Sequence, residues 1–106
     1  MVIYEVNLFV DREVYQEFYP WLREHAEEML QFPGFLGAII LMPTENNEDR
    51  QTLTIQYRLR SRLDLESYFS DHAAGMREKG IKRFGDRFSA QRRIMDIQEV
   101  LENHGL

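Results

Sequence analysis

Apolar and polar side chains alternate without a break in the segment LTIQYRLR, which spans residues 53–60. A period of two is typical of a β-strand that buries one face and leaves the other more open. The same period predicts a strand over Val2–Val10. Two further strands are predicted over residues 35–42 and 89–97, so the chain should build a sheet of four strands.

The sequence also predicts how the second and third strands are connected and where the fourth strand is irregular. The polar segment over residues 43–51 predicts a hairpin loop that joins the second strand to the third. In the fourth strand the adjacent Ile94 and Met95 interrupt the alternation. An extra residue on one strand of a pair has this effect, so we expect a β-bulge or a register change there.

Apolar residues recur at helical spacing in two other segments. The first helix is predicted over residues 11–31, with Asp11 able to cap its N-terminus. Pro20 lies inside it and lacks a backbone N–H, so a kink or a break is expected there. The second helix is predicted over residues 63–84, with Gly85 as its C-cap. Its inward side should carry the residues at helical spacing, namely Leu65, Tyr68, Phe69, His72, Met76 and Ile81.

The predicted order of elements is therefore β-α-β-β-α-β. Right-handed crossovers fold this order into an α+β, ferredoxin-like sandwich. It has a four-stranded antiparallel sheet in the order 4-1-3-2, with two helices on one face. We expect residues 1–106 to form a single domain of this kind.

The two faces of this sheet should differ. The helices are expected to cover Tyr4, Val6, Leu8, Ile55 and Tyr57. The other face, here called the open sheet face, should carry polar residues and, from the second strand, either Phe35, Ile39 and Leu41 or their neighbours. Two such faces packed together would bury this surface, so we expect a homodimer. The candidate dimer residues are Glu5, Asn7, Thr54, Gln56 and Arg58.

Composition and charge indicate where the protein is located and which classes of partner are unfavourable. The chain has 106 residues, no cysteine and a formal net charge of −5. Its first residues lack a basic segment and a small-residue cleavage site, so we expect no signal peptide there, and no apolar run reaches membrane-spanning length. A negative charge disfavours general nucleic-acid binding. We therefore expect a cytoplasmic protein with neither a nucleic-acid nor a membrane partner.

The charge is unevenly distributed along the chain. Acidic residues dominate residues 1–35, and basic residues dominate residues 77–93. The basic segment could form an anion-binding patch. It could also be a solvated face that pairs in part with the acidic segment, which is the more common arrangement for charge runs.

Several short motifs occur in an order that resembles a known superfamily. They are IYEVNL in the first strand, Trp21 and His25 one helical turn apart, PGF before the second strand, TIQY in the third, L..YF in the second helix and FG…RR before the fourth strand. In this order they resemble the dimeric α/β-barrel superfamily, in which two ferredoxin-like subunits join their sheets. More narrowly, the chain is similar to a bacterial family defined as a domain of unknown function. Pro20 departs from what this resemblance implies for the first helix.

The resemblance also suggests chemistry to look for, because the wider superfamily includes antibiotic-biosynthesis monooxygenases and haem-degrading enzymes. For haem-degrading members the resemblance implies an Asn on the first strand, a Trp on the second helix and a haem-ligand histidine after it. Haem degradation is disfavoured, since Asn7 should face away from the helices, the Trp position falls near Tyr68 and no histidine lies at the right distance after it. The three histidines have no metal-site spacing. We expect no cofactor and no metal.

A ligand pocket could lie between the sheet and the helices. Its candidate residues are Tyr4, Trp21, His25, Tyr57, Tyr68 and His72. The simpler interpretation is that these are core aromatic residues whose polar ends find partners. We expect a small-ligand-binding or structural module without catalysis. The alternative is a cofactor-independent monooxygenase or isomerase acting on a small aromatic or phenolic substrate, which would need a cavity of a few hundred cubic ångströms.

Overall fold

The computed structural model describes residues 1–46 and 49–105. Its elements follow one another as β1 (Val2–Val10), α1 (Tyr15–Met29), β2 (Phe35–Leu41), β3 (Gln51–Leu59), α2 (Arg62–Asp71), α3 (Ala73–Phe84) and β4 (Phe88–Asp96). Single 3₁₀ turns precede α1 at Arg12–Val14 and follow α3 at Gly85–Arg87. Part of the predicted hairpin loop, at positions 47 and 48, lies outside the described residues.

The four strands form one antiparallel sheet in the order β2-β3-β1-β4. This confirms the predicted ferredoxin-like fold and strand order. β1 is central, with Glu5 opposite Gln56 of β3 on one side and opposite Arg93 of β4 on the other. The predicted helix-facing residues are all buried, namely Tyr4, Val6, Leu8, Ile55 and Tyr57. Among the described residues, no helix combines the length and apolar character needed to cross a membrane.

The first helix differs from its prediction at its start. Asp11 makes no side-chain capping bond, and α1 begins only at Tyr15. The Asp11 carboxylate instead accepts a hydrogen bond from Arg87 Nε at 2.8 Å and pairs with Arg50 Nε at 2.7 Å. Two nearby guanidinium groups therefore hold the oxygens that would otherwise have capped the helix.

Pro20 does not break α1, so that part of the expectation was wrong. The helix runs from Tyr15 to Met29 with Pro20 inside it. Proline removes one backbone hydrogen bond, but Pro20 itself is exposed, while Phe18 and Leu22 on either side of it are buried. Burial of this apolar stripe outweighs the loss of one bond.

The predicted second helix is two helices, because His72 leaves the helical conformation at φ −132° and ψ −26°. Its ring stacks on Phe32, with centroids 4.3 Å apart. The break shifts the phase of the buried stripe. His72 and Ile81, predicted to face inward, are therefore exposed, whereas Gly80 is buried. The other predicted inward residues are buried or partly buried, namely Leu65, Tyr68, Phe69 and Met76.

Gly85 ends α3 with φ +58°, as predicted.

The bulge or register change predicted in β4 is also absent. β4 pairs with β1 in a continuous register, in which Ile94 lies opposite Tyr4 and Met95 lies opposite Ile3. Tyr4 and Ile3 give Ile94 and Met95 an apolar neighbour on each face of the sheet, so the adjacent apolar residues need no bulge.

An irregularity occurs instead in β2, where the register with β3 shifts between Phe35 and Gly37. The shift turns Phe35 into the core, where it is buried, while Ile39 and Leu41 remain exposed. Of the three residues expected on the open sheet face, Phe35 therefore lies in the core, and only Ile39 and Leu41 lie on that face.

Candidate functional site

A small cavity lies between the sheet and helices α1 and α3. Its volume is about 60 Å³, and we call it the tyrosine cavity because Tyr4, Tyr57 and Tyr68 form much of its wall. The ring of Tyr4 lies 6.0 Å from that of Tyr57 and 6.2 Å from that of Tyr68. Strand alternation brings two of these rings together, since Tyr4 and Tyr57 are directly opposite each other on β1 and β3.

Five of the six candidate pocket residues line this cavity. They are Tyr4, Trp21, His25, Tyr57 and Tyr68. His72 lies elsewhere, in a separate surface depression with Phe32 and Asp71. The break between α2 and α3 carries its side chain away from the other five.

Trp21 and His25 form one wall of the cavity, on the same side of α1. Their rings stack with centroids 4.7 Å apart. Trp21 is half-buried and also packs on Phe18 and Phe84, with centroids 5.5 Å away in each case. The Nδ1 atom of His25 is buried without a hydrogen-bond partner among the described residues. Burial lowers the pKa of His25, so its imidazole is neutral at pH 7 and has an atom free to accept a proton.

Two arginines at the cavity were missed by the sequence reasoning. Arg92 lies opposite Val6 in the register of β4, which puts it on the helix side of the sheet, and it lines the cavity. Arg77 of α3 also lines it, and its Nη2 donates a hydrogen bond to the Tyr4 hydroxyl at 3.3 Å. Alternation along Phe88, Ala90 and Arg92 was the signal that could have found the first of them.

Burial favours the protonated form of two of the cavity tyrosines, Tyr57 and Tyr68. Burial raises the pKa of the Tyr57 hydroxyl, and it raises the pKa of Tyr68 to about 12. The neighbouring tyrosines act in the same direction, while the positive charge of Arg92 opposes both shifts. At neutral pH these hydroxyls are therefore hydrogen-bond donors rather than bases.

The candidate dimer residues lie on the open sheet face, and Glu5 is their centre. Glu5 is only 4% exposed and accepts hydrogen bonds from Arg93 Nε at 2.5 Å, Gln56 Nε2 at 2.9 Å and Asn7 Nδ2 at 3.0 Å. Thr54 Oγ1 donates to Asn7 Oδ1 at 2.7 Å. The bonds from Arg93, Gln56 and Asn7 lower the pKa of Glu5 to about 2, although burial alone would raise it.

Arg58 lies apart from this network. It is exposed and pairs across the sheet with Ile3 and Gly37. Next to it the β2 edge presents two large apolar side chains, Ile39 at 58% and Leu41 at 43% exposure. The open sheet face therefore combines a satisfied polar centre with an apolar edge.

Several basic residues of the 77–93 segment pair with acids near the N-terminus. Lys79 Nζ contacts Glu28 at 2.5 Å, Arg87 bonds to Asp11, and Arg93 bonds to Glu5. These contacts confirm the expected pairing with the acidic segment. Within the described part of the chain, no cluster of histidine and acidic residues could hold a metal ion.

The fold and the cavity define a small α+β protein with a ferredoxin-like sheet and an aromatic pocket under its helices. A family model, the domain of unknown function DUF4286, matches residues 1–98, and the chain belongs to that family. The sequence matches no curated protein at a significant level.

Solved structures share this fold at low sequence identity. A Deinococcus radiodurans protein suggested to be an antibiotic biosynthesis monooxygenase superposes with a TM-score of 0.77 at 13% identity, over 99% of this chain and 100% of that one. A mutant of SnoaB, a cofactor-independent oxygenase from Streptomyces nogalater, gives 0.71 at 13% identity, over 96% and 98%. A mutant of MhuD, with two manganese protoporphyrin IX molecules bound per active site, gives 0.71 at 15% identity, over 97% and 100%. At these identities the likeness supports the antibiotic-monooxygenase type of fold alone.

Proposed function

We propose that this protein is a homodimeric module that binds a small ligand in the tyrosine cavity and carries out no reaction on it. The observation that carries the proposal is the cavity itself. It has a volume of about 60 Å³, two of its wall tyrosines are protonated donors, and His25 supplies a buried ring nitrogen without a partner among the described residues. A fully packed core would leave no such space.

The homodimer in this proposal uses the open sheet face. Its exposed apolar edge at Ile39 and Leu41 adjoins a polar centre whose hydrogen bonds are already made. Burial of such a face leaves few groups without partners, which is what a stable interface requires. The expected cytoplasmic location is part of the same proposal and can be checked by cell fractionation.

Ligand binding can be tested by protein-observed NMR with a library of small acids, amides, alcohols and amines. We expect some members to shift the resonances of Tyr57, Tyr68 and Gly80 saturably. Tyr57→Phe removes one donor from the cavity and should weaken that binding at least threefold. Tyr19→Phe is the matched control, because Tyr19 lies on the outer side of α1 and does not line the cavity. A library without any cavity-specific shift would contradict the proposal.

The second candidate is a cofactor-independent monooxygenase, which the fold shared with SnoaB and the unpartnered His25 favour. Such an enzyme must enclose an aromatic substrate, and ligand pockets of that kind measure roughly 300–1,000 Å³. The tyrosine cavity is several times smaller, at about 60 Å³. Oxygen uptake with a panel of hydroquinones and anthrones separates the two functions. We expect no uptake above the protein-free rate, and uptake abolished by His25→Gln would favour the enzyme.

A further inference from the structure

We infer that the ligand of the tyrosine cavity is an anion, specifically a short-chain monocarboxylate whose carboxylate group lies between Arg77 and Arg92. This inference rests on the proposed function and adds to it the chemical class of the ligand. The carboxylate would lie at the cavity mouth, where both arginines are exposed, and the hydrocarbon end would point toward the core.

The first support is that these two arginines have no acidic partner. Among the described residues neither forms an ion pair, and the one hydrogen bond of Arg77 goes to the uncharged Tyr4 hydroxyl. Nearby Lys79, Arg87 and Arg93 all contact carboxylates. In a chain with a net charge of −5, two unpaired guanidinium groups at one cavity leave a site that an anion can fill.

The second support is the chemistry of the cavity wall. Within the described part of the chain it contains no aspartate or glutamate, so nothing there repels an anion. Tyr57 and Tyr68 remain protonated at neutral pH and can donate to a carboxylate oxygen. Guanidinium groups bind carboxylates through charge-assisted hydrogen bonds, which are roughly twice as strong as neutral ones.

The third support is the size and polarity of the enclosed space. A water molecule fits in roughly 10–15 Å³ of cavity and occupies about 30 Å³ in the liquid. A cavity of about 60 Å³ therefore holds roughly two to six water-sized groups. Its inner wall is apolar, with Val6, Leu22 and Ile55. A hydrocarbon chain of a few carbons fits this space, whereas an aromatic ring needs more, since an engineered cavity that binds benzene measures about 150 Å³.

The experiment compares butyrate with butyramide, which has nearly the same shape and no charge. Both are titrated into the isotope-labelled protein at constant ionic strength, with the amide resonances of the cavity residues as the readout. We expect butyrate to bind saturably and butyramide to bind at least tenfold more weakly. Hexanoate should bind more weakly than butyrate, because its chain exceeds the enclosed space.

Substitutions test whether Arg77 and Arg92 are the residues that bind the carboxylate. Arg92→Gln and Arg77→Gln should each weaken butyrate binding at least tenfold and leave butyramide binding unchanged, and Arg92→Lys should retain part of the affinity. Arg23→Gln is the control, because Arg23 lies on the outer side of α1, with its side chain 69% exposed. A thermal melt of each variant confirms that it is folded.

Two results would overturn the inference, and they differ in what they mean for the proposed function. If neutral molecules bind the cavity as well as butyrate does, or if the arginine variants bind butyrate normally, the site exists but does not select anions. If neither butyrate nor any neutral molecule shifts cavity resonances, the ligand-binding function fails together with the inference.

Discussion

Glu5 shows how a buried carboxylate can be tolerated on a sheet surface. A carboxylate out of water costs free energy unless other groups replace its lost hydration. Here Arg93, Gln56 and Asn7 supply three donors. The same bonds depress its pKa to about 2, so the charged form is the stable one throughout the neutral range. Glu5 is thus a structural anion, in contrast to the neutral His25 on the other face.

Replacing Glu5 should change how stability depends on pH. Its pKa is lower in the folded protein than the ordinary value of 4.5, so its contribution is fully present above about pH 5 and is lost as pH falls toward 2. At pH 7 we expect Glu5→Gln to cost about 1–3 kcal/mol, because an amide leaves charged and neutral donors poorly paired.

Urea unfolding at pH 7, 5, 4 and 3 measures this effect. Asp11, Glu28 and Asp64 also have lowered pKa values and contribute equally to both proteins, so the difference between the two curves reports on Glu5. That difference should shrink as the pH falls. Parallel curves would mean that the hydrogen bonds to Glu5 contribute little in solution.

Helix α3 depends on a close contact at one of its glycines. A Cβ at Gly80 would lie 3.0 Å from Phe88 Cζ and 3.1 Å from Trp21 Cη2, well inside the usual carbon contact of about 3.5–4.0 Å. A Cβ at Gly75 would meet nothing within 4 Å. Of these two glycines, only Gly80 is therefore needed for α3 to pack against the aromatic wall of the cavity.

The two glycines give a matched pair of substitutions. Alanine in place of glycine ordinarily stabilises a helix by roughly 0.8–1.0 kcal/mol, so Gly75→Ala should stabilise the protein by about 0.5–1 kcal/mol. Gly80→Ala should destabilise it by about 1–2 kcal/mol, because overpacking outweighs the gain in helix propensity. Chemical denaturation measures both. Equal stabilisation by the two variants would show that Trp21 and Phe88 move aside freely.

The fold of the whole molecule could be predicted from the sequence, but the candidate site only in part. The fold follows mainly from local patterns, whereas the site depends on strand register and on packing between distant segments. The order of strands and helices follows from local periodicity, and the handedness of crossovers then limits the topology. The alternation of side chains along each strand likewise predicted that Tyr4 and Tyr57 lie on the helix side of the sheet. The pairing of Glu5 with Arg93 required the register of β4, which Ile94 and Met95 obscured.

Other features of the site depend on packing between distant segments. The break at His72 is not marked by proline or glycine, and the ring of Phe32, far away in sequence, stacks on it. Arg77 reaches the cavity only because α3 lies over the Tyr4 hydroxyl. Burial of the apolar stripe of α1 likewise overrode the local signal of Pro20.

The oligomeric state is a property of the whole molecule, and charge substitutions on the open sheet face test whether the protein is a dimer. Light scattering coupled to size exclusion should give the wild type nearly twice its chain mass of 12.7 kDa. Ile39→Glu and Arg58→Glu each place an unpaired carboxylate in the proposed interface. Such a charge typically costs about 3–5 kcal/mol when buried, and symmetry introduces it twice per dimer.

At about 1.4 kcal/mol per decade, a nanomolar dimer would weaken to micromolar or beyond, so both variants should shift toward the monomer. Leu63→Glu is the control. Leu63 is an apolar residue with 74% exposure on α2, on the helix side of the molecule, and its replacement should leave the mass unchanged. A wild type that is monomeric at tens of micromolar would contradict the dimer, and the apolar edge at Ile39 and Leu41 would then face water.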